Sequence, residues 1–404
     1  MAYRVRTVRD LDEFRVALGP IGHYFGWQPT HEEVHWLGRV MPLDRVHAAF
    51  DDAAIVGGAG VYPFRLTVPG GEVPCAGITV VGVLPTHRRR GLLTRMMRAQ
   101  LTDIRARGEP LAALWASEET IYGRYGYGMA SFRCWARVPR IWSALRGDLP
   151  SPDGEVRLVE HDEALRSFPR VHEQVRRSTV GFISRSRDWW EVRRLDDHPE
   201  RRGGGGPLNR ALLERGGRPV GYALYRIVHE GPAGDRKRTV RVLEAIGVDP
   251  SALRDLWRFL LAIDWTDTIE GVYLPTDHPL QLLAARVSQL DWRVIDGLWA
   301  RLVDVPAALA ARSYGGEARV EVVADAQFPE NVGTWAVGAE GASRSRRRPD
   351  VRVDVQGLAA AYLGGISFTQ LARAGRAEEV ARGGLARADA AFRTGSAPWS
   401  PEGF

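Results

Sequence analysis

Two cysteines, Cys75 and Cys134, and one lysine, Lys237, are all that 404 residues hold of those two types. Two cysteines cannot build a disulfide framework, and without histidine pairs near them they give no zinc spacing, so no metal is expected. So few thiols suit a reduced cytoplasm. No apolar run approaches the roughly 20 residues that a bilayer helix requires. The start, Met1-Ala2-Tyr3-Arg4-Val5-Arg6, reads as the beginning of a strand and lacks a secretory apolar region. The expectation is a cytoplasmic protein with no membrane partner. Neither G-x-x-x-x-G-K-[ST] nor G-x-G-x-x-G occurs, which excludes the two commonest phosphate cradles. No Cys–His or Ser–His–Asp arrangement is legible, so a covalent acyl-enzyme is not expected.

Lys237 is the only lysine among 55 basic residues, and the net charge is +6. The arginines are scattered, apart from Arg88–Arg90 and Arg344–Arg348. The second run lies between strand-like segments and reads as a solvated hairpin loop. A basic stripe for nucleic acid is missing, and no nucleic-acid partner is expected. With 45% hydrophobic and 26% charged residues, the chain has ample core for two to four domains.

The most informative stretch is Ile78-Thr79-Val80-Val81-Gly82-Val83-Leu84-Pro85-Thr86-His87-Arg88-Arg89-Arg90-Gly91-Leu92-Leu93. Its β-branched half reads as a buried strand ending at a proline. Leu92, Leu93, Met96, Met97 and Leu101 then recur at helical spacing, which predicts a helix opening at about Arg88. A strand, a basic turn and a helix N-terminus together favour an anion, because the first helical N–H groups lack partners and the dipole is positive there. Gly91 has no side chain to obstruct a pyrophosphate.

Residues 1–150 read as one α/β unit. It holds a strand at Tyr3–Val8, helices from Asp10–Leu18 and over His31–Val40, and strands at Val46–Phe50, Ala53–Pro63 and Phe64–Val68. After the helix over Arg88–Arg105 come a strand at Pro110–Ala116, a short helix at Thr120–Tyr125 and a closing strand at Ser131–Val138. Residues 151–295 carry an internal echo, with an apolar run ending Gly247-Val248-Asp249-Pro250 before a helix over Ala252–Ile263. Aligning Pro85 with Pro250 sets Leu253 opposite Arg88 and Leu256 opposite Gly91, so this copy keeps the elements and loses the anion site. The glycines of Arg201-Arg202-Gly203-Gly204-Gly205-Gly206 follow no strand and read as a flexible loop. Residues 296–404 begin with strand-like Leu298–Val303 and Ala318–Ala324, then Asn331–Val337 and Val351–Val355. Helices are expected over Leu358–Leu363, Phe368–Ala374 and Ala377–Phe392.

The run Val83-Leu84-Pro85 followed by R-x-x-G resembles the acetyl-CoA loop of GNAT-type N-acetyltransferases, with Leu93 standing where Gly or Ala is usual. Three further pieces extend the resemblance over essentially the whole chain: Ile121-Tyr122-Gly123-Arg124-Tyr125-Gly126-Tyr127-Gly128, the segment Tyr362-Leu363-Gly364-Gly365, and the ending Trp399-Ser400-Pro401-Glu402-Gly403-Phe404. Together they resemble the enhanced-intracellular-survival family of actinobacterial acetyltransferases. That resemblance implies an α/β fold of tandem GNAT-like mixed sheets, the first splayed into a V at its central strand, followed by a sterol-carrier-protein-like domain. It implies acetyl-CoA as co-substrate, contacted by Val81, Val83, Arg88, Arg89, Arg90, Gly91, Leu92 and Leu93. It implies transfer to amines of small polycationic substrates such as aminoglycosides, at several positions. A catalytic role falls to the Tyr127 hydroxyl as acid and the Phe404 α-carboxylate as base, with Trp36 and Glu402 touching substrate. A homo-oligomer, a hexamer, is implied as well. From the residues alone Tyr122 and Tyr125 compete with Tyr127. A protein-lysine or small-amine acetyltransferase stays open beside the aminoglycoside reading, as does a lipid or sterol carrier built on the last domain.

Overall fold

The computed structural model describes residues 3–231 and 237–404; Met1 and Ala2, read with the first strand, lie outside them. These residues form two compact units. One comprises residues to Ser131 together with Gly297–Pro398 and Gly403–Phe404, the other Phe132–Asp296 and Trp399–Glu402.

The first unit holds two sheets. The larger has seven strands in the order Arg4–Thr7, His47–Asp51, Ala54–Val68, Gly71–Val83, Leu111–Leu114, Trp299–Leu302 and Gly128–Met129. The strand expected to stop near Pro63 and restart at Phe64 is continuous, because Pro63 and Phe64 keep register with Ala76 and Cys75. The parallel pair in this sheet is short. Gly71–Val83 matches Leu111–Leu114 only over Cys75–Gly77, and its last six residues run on without that neighbour. This is the V-shaped gap the resemblance implies. Trp299–Leu302, read as opening the last domain, pairs antiparallel with Leu111–Leu114 and completes this sheet.

Two helices shape the gap. Leu92–Ala106 buries Leu92, Met96, Met97, Leu101 and Ile104 against the sheet. Leu11–Phe25 is capped by Asp10, whose carboxylate accepts from Glu13 N–H at 2.8 Å, and ends at Gly26 with φ +66°. From the expected start over Asp10–Leu18 it runs on to Phe25, straight through Pro20. Packing explains the extension. A Cβ on Gly58 would stand 1.9 Å from the Ala17 carbonyl oxygen, and one on Gly82 would stand 2.6 Å from Ile21 N, so this helix lies directly on the strand backbone. That contact carries Ile21, Tyr24 and Phe25 to the mouth of the gap.

The other sheet of this unit orders Gly341–Ser345, Gly333–Gly338, Ala318–Val322, Val351–Val353 and Ala377–Glu379. The arginine run does not form the hairpin loop. The turn falls between paired Gly338 and Gly341, and Arg344 lies on the outgoing strand. The long helix expected over Ala377–Phe392 divides into the edge strand Ala377–Glu379 and a helix over Gly384–Phe392, because Gly383 at φ +73° interrupts it.

The second unit has one seven-stranded sheet in the order Asp291–Asp296, Phe132–Pro139, Thr268–Leu274, Lys237–Gly247, Arg218–Glu230, Asn209–Arg215 and Glu155–Leu158. Phe132–Pro139, expected to close the first sheet, pairs here with Thr268–Leu274 and Asp291–Asp296. Helix Pro250–Leu261 buries Ala252, Leu256, Trp257 and Leu260 against this sheet.

Candidate acyl-transfer site

The site begins as a fault in a strand. Opposite Gly58–Gly60 the register of Gly71–Val83 slips by one residue, so Val80 and Val81 together face Ala59. Val80 has φ +48°, which strains a β-branched residue and is held only by the surrounding packing. The bulge lies just past Gly77, where the parallel neighbour is lost. It re-aims the strand edge where that edge is unpaired. Backbone groups there are the natural partners of an extended polar ligand.

A cleft of about 550 Å³ opens beside this edge. Val81, Val83, Arg88, Arg89, Gly91, Leu92 and Leu93 all line it. Arg90 instead donates to the Tyr3 hydroxyl at 2.8 Å. The helix starts at Leu92 rather than near Arg88, so the arginines form a loop in front of it. Arg89 and Gly91 both have positive φ, +60° and +78°, which ends the turn and begins the helix. A Cβ on Gly91 would meet nothing within 4 Å. The space before the first helical N–H groups is therefore open, and two exposed guanidinium groups flank it. This arrangement fits a pyrophosphate, with an extended thioester arm along the strand.

Sequence reasoning missed the far wall. The Tyr24 hydroxyl donates to the Val83 carbonyl at 2.9 Å, and the Arg88 guanidinium stands 5.8 Å from the Tyr24 ring centre. The sequence predicts this helix only over its start, Asp10–Leu18, and these residues lie beyond that.

The three tyrosines separate by environment. Tyr122 lines the cleft, and so does Tyr125, whose hydroxyl lies 3.1 Å from Thr94 Oγ1. Tyr127 is fully buried among Val61, Ala76, Ile78 and Met97, with its ring 6.1 Å from that of Tyr122. Its hydroxyl has no hydrogen-bond partner among the described residues. Burial pushes its pKa well up, and the nearby Arg301 guanidinium opposes that only in part. A buried, unpartnered, protonated hydroxyl is an available donor.

Phe404 packs its ring 5.1 Å from that of Phe64 and 6.4 Å from that of Tyr62. A Cβ on Gly77 would stand 3.2 Å from it, so the Phe404 ring reaches the last paired residue of the gap. Trp36 is half-buried on the helix His31–Val40. Glu402 departs from its expected role. It is 1% exposed, and its carboxylate accepts from the Trp189 indole at 2.9 Å and from Arg185. Those partners seal it from substrate, since a buried carboxylate is stable only when paired.

The second sheet repeats the strand and helix without the loop. Pro250 starts the helix directly after Asp249, whose carboxylate accepts from Ala252 N–H at 2.8 Å. Arg215 holds that carboxylate at 2.9 Å and lowers its pKa to about 2. The helix end is thus capped by an anion of its own chain. Leu256, aligned by sequence with Gly91, is a fully buried residue well inside the helix. What this copy lacks is the whole loop, not one glycine.

Comparison with known proteins finds three matching domain families along the chain. The acetyltransferase (GNAT) domain family matches residues 4–130, a second acetyltransferase (GNAT) domain family matches 181–302, and the sterol carrier protein domain family matches 305–401. An uncharacterized N-acetyltransferase of Streptomyces avermitilis is 41% identical, covering 100% of both chains. N-acetyltransferase Eis of Mycobacterium tuberculosis is 35% identical over 87% of this chain and 88% of its own. The crystal structure of Eis1 from Mycobacterium abscessus superposes with a TM-score of 0.86 at 33% identity, over 99% of this chain and 100% of that one.

Proposed function

The chain belongs to the enhanced-intracellular-survival (Eis) family of GNAT N-acetyltransferases, and from that premise we propose that it acetylates amines of aminoglycoside-like polyamines, at several positions, by direct attack with both substrates bound. The observation that carries the reading is the cleft at the parted strands, with its open space at Gly91 between Arg88 and Arg89. Acetyl-CoA would supply an activated acetyl thioester there. Arg88, Arg89 and the first N–H groups of helix Leu92–Ala106 hold its phosphates. The unpaired edge beyond Gly77 orients the extended arm and offers N–H groups to the carbonyl oxygen as negative charge develops on it. The Phe404 α-carboxylate accepts the proton of the attacking amine, and the Tyr127 hydroxyl donates to the departing sulfur. With Glu402 sealed, the same terminal carboxylate is the anion that attracts a polycation. Trp36 is the proposed aromatic wall for it.

A thiol-release assay tests this with kanamycin-type aminoglycosides, lysine peptides and simple amines. The expected result is release with aminoglycosides and more than one acetyl per molecule by mass spectrometry. Release with lysine peptides alone would assign a protein acetyltransferase, and no release with any amine would overturn the reading. The family also suggests a homo-oligomer, a hexamer, which light scattering of the full chain checks.

A further inference from the structure

The second sheet has its own gap. Lys237–Gly247 runs parallel to Thr268–Leu274 only from Thr239–Thr268 to Val242–Gly271, and both strands continue beyond. The chain's own tail meets both continuations. The Trp399 indole donates to the carbonyl of Tyr273, a residue held at φ +56°. Arg185 bridges Glu244 on one strand to Glu402 of the tail. Trp399 N–H donates to the Val180 carbonyl at 2.8 Å, and a Cβ on Gly181 would stand 2.7 Å from the Trp399 carbonyl oxygen. Ser400 and Glu402 are each 1% exposed.

The ionic part is balanced. Arg185 and Arg194 face Glu244 and Glu402, two cations against two anions, with the Tyr222 hydroxyl donating to Glu244. His172, packed beside Phe182 and Trp190, is held neutral by burial and by Arg185. Buried ion pairs seldom add net stability over apolar packing, but they specify one arrangement strongly, because a broken pair leaves an uncompensated charge. Such a device suits a segment whose exact placement matters.

We propose that the parted strands of the second unit are a receptor for the chain's own tail, with Arg185 as the positioning residue that fixes Glu402 and thereby the terminal carboxylate. Phe404 stands two residues after the anchored glutamate, a span of about 7 Å of chain at most. The proposal rests on the reading of Phe404 as the base. It also gives the duplicated unit a role other than a second acetyl-CoA site.

The test uses the full chain and Glu402→Gln, which removes one anion but leaves Arg185 paired with Glu244. Release of Phe404 by a carboxypeptidase is followed by mass spectrometry, alongside kcat and the KM for acetyl-CoA. Release at least tenfold faster and kcat at least tenfold lower, with KM within twofold, is the expected result. Unchanged release overturns the anchoring, whatever kcat does. Faster release with unchanged kcat supports the anchoring and removes Phe404 as the base. Should Glu402→Gln fail to fold, Arg185→Lys, which keeps the charge but loses the fork that reaches both carboxylates, is read by the same measurements with the same outcomes.

Discussion

At the scale of single residues, burial limits what the acid role proposed for Tyr127 can be. A free thiol titrates near 8.5, and burial holds the tyrosine above its ordinary value of about 10. Outright proton loss to a thiolate is therefore uphill, so in the proposed mechanism Tyr127 would act by donating a hydrogen bond. Its raised pKa extends the protonated form to higher pH. The kcat profile should show no falling limb from this residue up to pH 10. Tyr127→Phe should lower kcat by roughly 10²-fold, toward the lower end of acid–base contributions. Because the hydroxyl has no partner among the described residues, its removal should leave Tm unchanged or slightly higher. Appending residues after Phe404 converts the carboxylate to an amide and should cost roughly 10² to 10⁴ in kcat, with acetyl-CoA affinity intact by calorimetry. The place of Arg88, Arg89 and Gly91 on the cleft wall was legible in the sequence, because a buried strand, a basic turn and a helix start follow one another directly. The burial of Glu402 was not, because its partners Arg185 and Trp189 stand some 200 residues earlier in the chain.

At the scale of elements, helix ends decide much of the chemistry. Asp249 caps helix Pro250–Leu261, and Arg215 depresses its pKa to about 2 from 3.8. A depressed carboxylate stabilises the fold fully above its unfolded pKa, and that contribution fades as pH falls from about 4 toward 2. Thermal melts at pH 5 and pH 2 should show Asp249→Asn losing its deficit against the parent at the lower pH. Gly128 tests packing. A Cβ there would lie 2.2 Å from the Gln356 carbonyl oxygen and 2.6 Å from Ala360 N, which are backbone atoms of the helix Val355–Tyr362 and its neighbour contacts. Gly128→Ala should cost about 1–3 kcal/mol in denaturant unfolding. This is why Tyr127 stands between glycines, a spacing visible in the sequence whose cause was not. The helix His31–Val40 was legible to the residue, since Thr30 and Glu33 form a capping box. The start at Leu92 was not, because arginines suit a helix as well as a loop and only the backbone of Gly91 decides.

At the scale of the molecule, long-range pairing governs what the sequence could reveal. An apolar run announces a strand but not its sheet, and so Phe132–Pro139 and Trp299–Leu302 were each expected in the wrong one. Arg301 on the latter strand is fully buried and held by both Asp325 oxygens, at 2.7 and 2.8 Å. Asp325→Ala strands that cation and should cost about 3–5 kcal/mol, read from the unfolding midpoint. Calorimetry should find one acetyl-CoA per chain, since the second sheet lacks the loop and holds tail residues in its gap; two would contradict that account. The late strand also sets a clock. On the ribosome, Leu111–Leu114 emerges long before its neighbour Trp299–Leu302 exists. At about 5–20 residues per second the nascent chain waits roughly 10–40 s with that edge open. An open apolar edge invites pairing with other chains. A gene fragment ending near residue 130 should thus yield aggregates, and a chaperone that shields nascent chains should raise the yield of the intact protein.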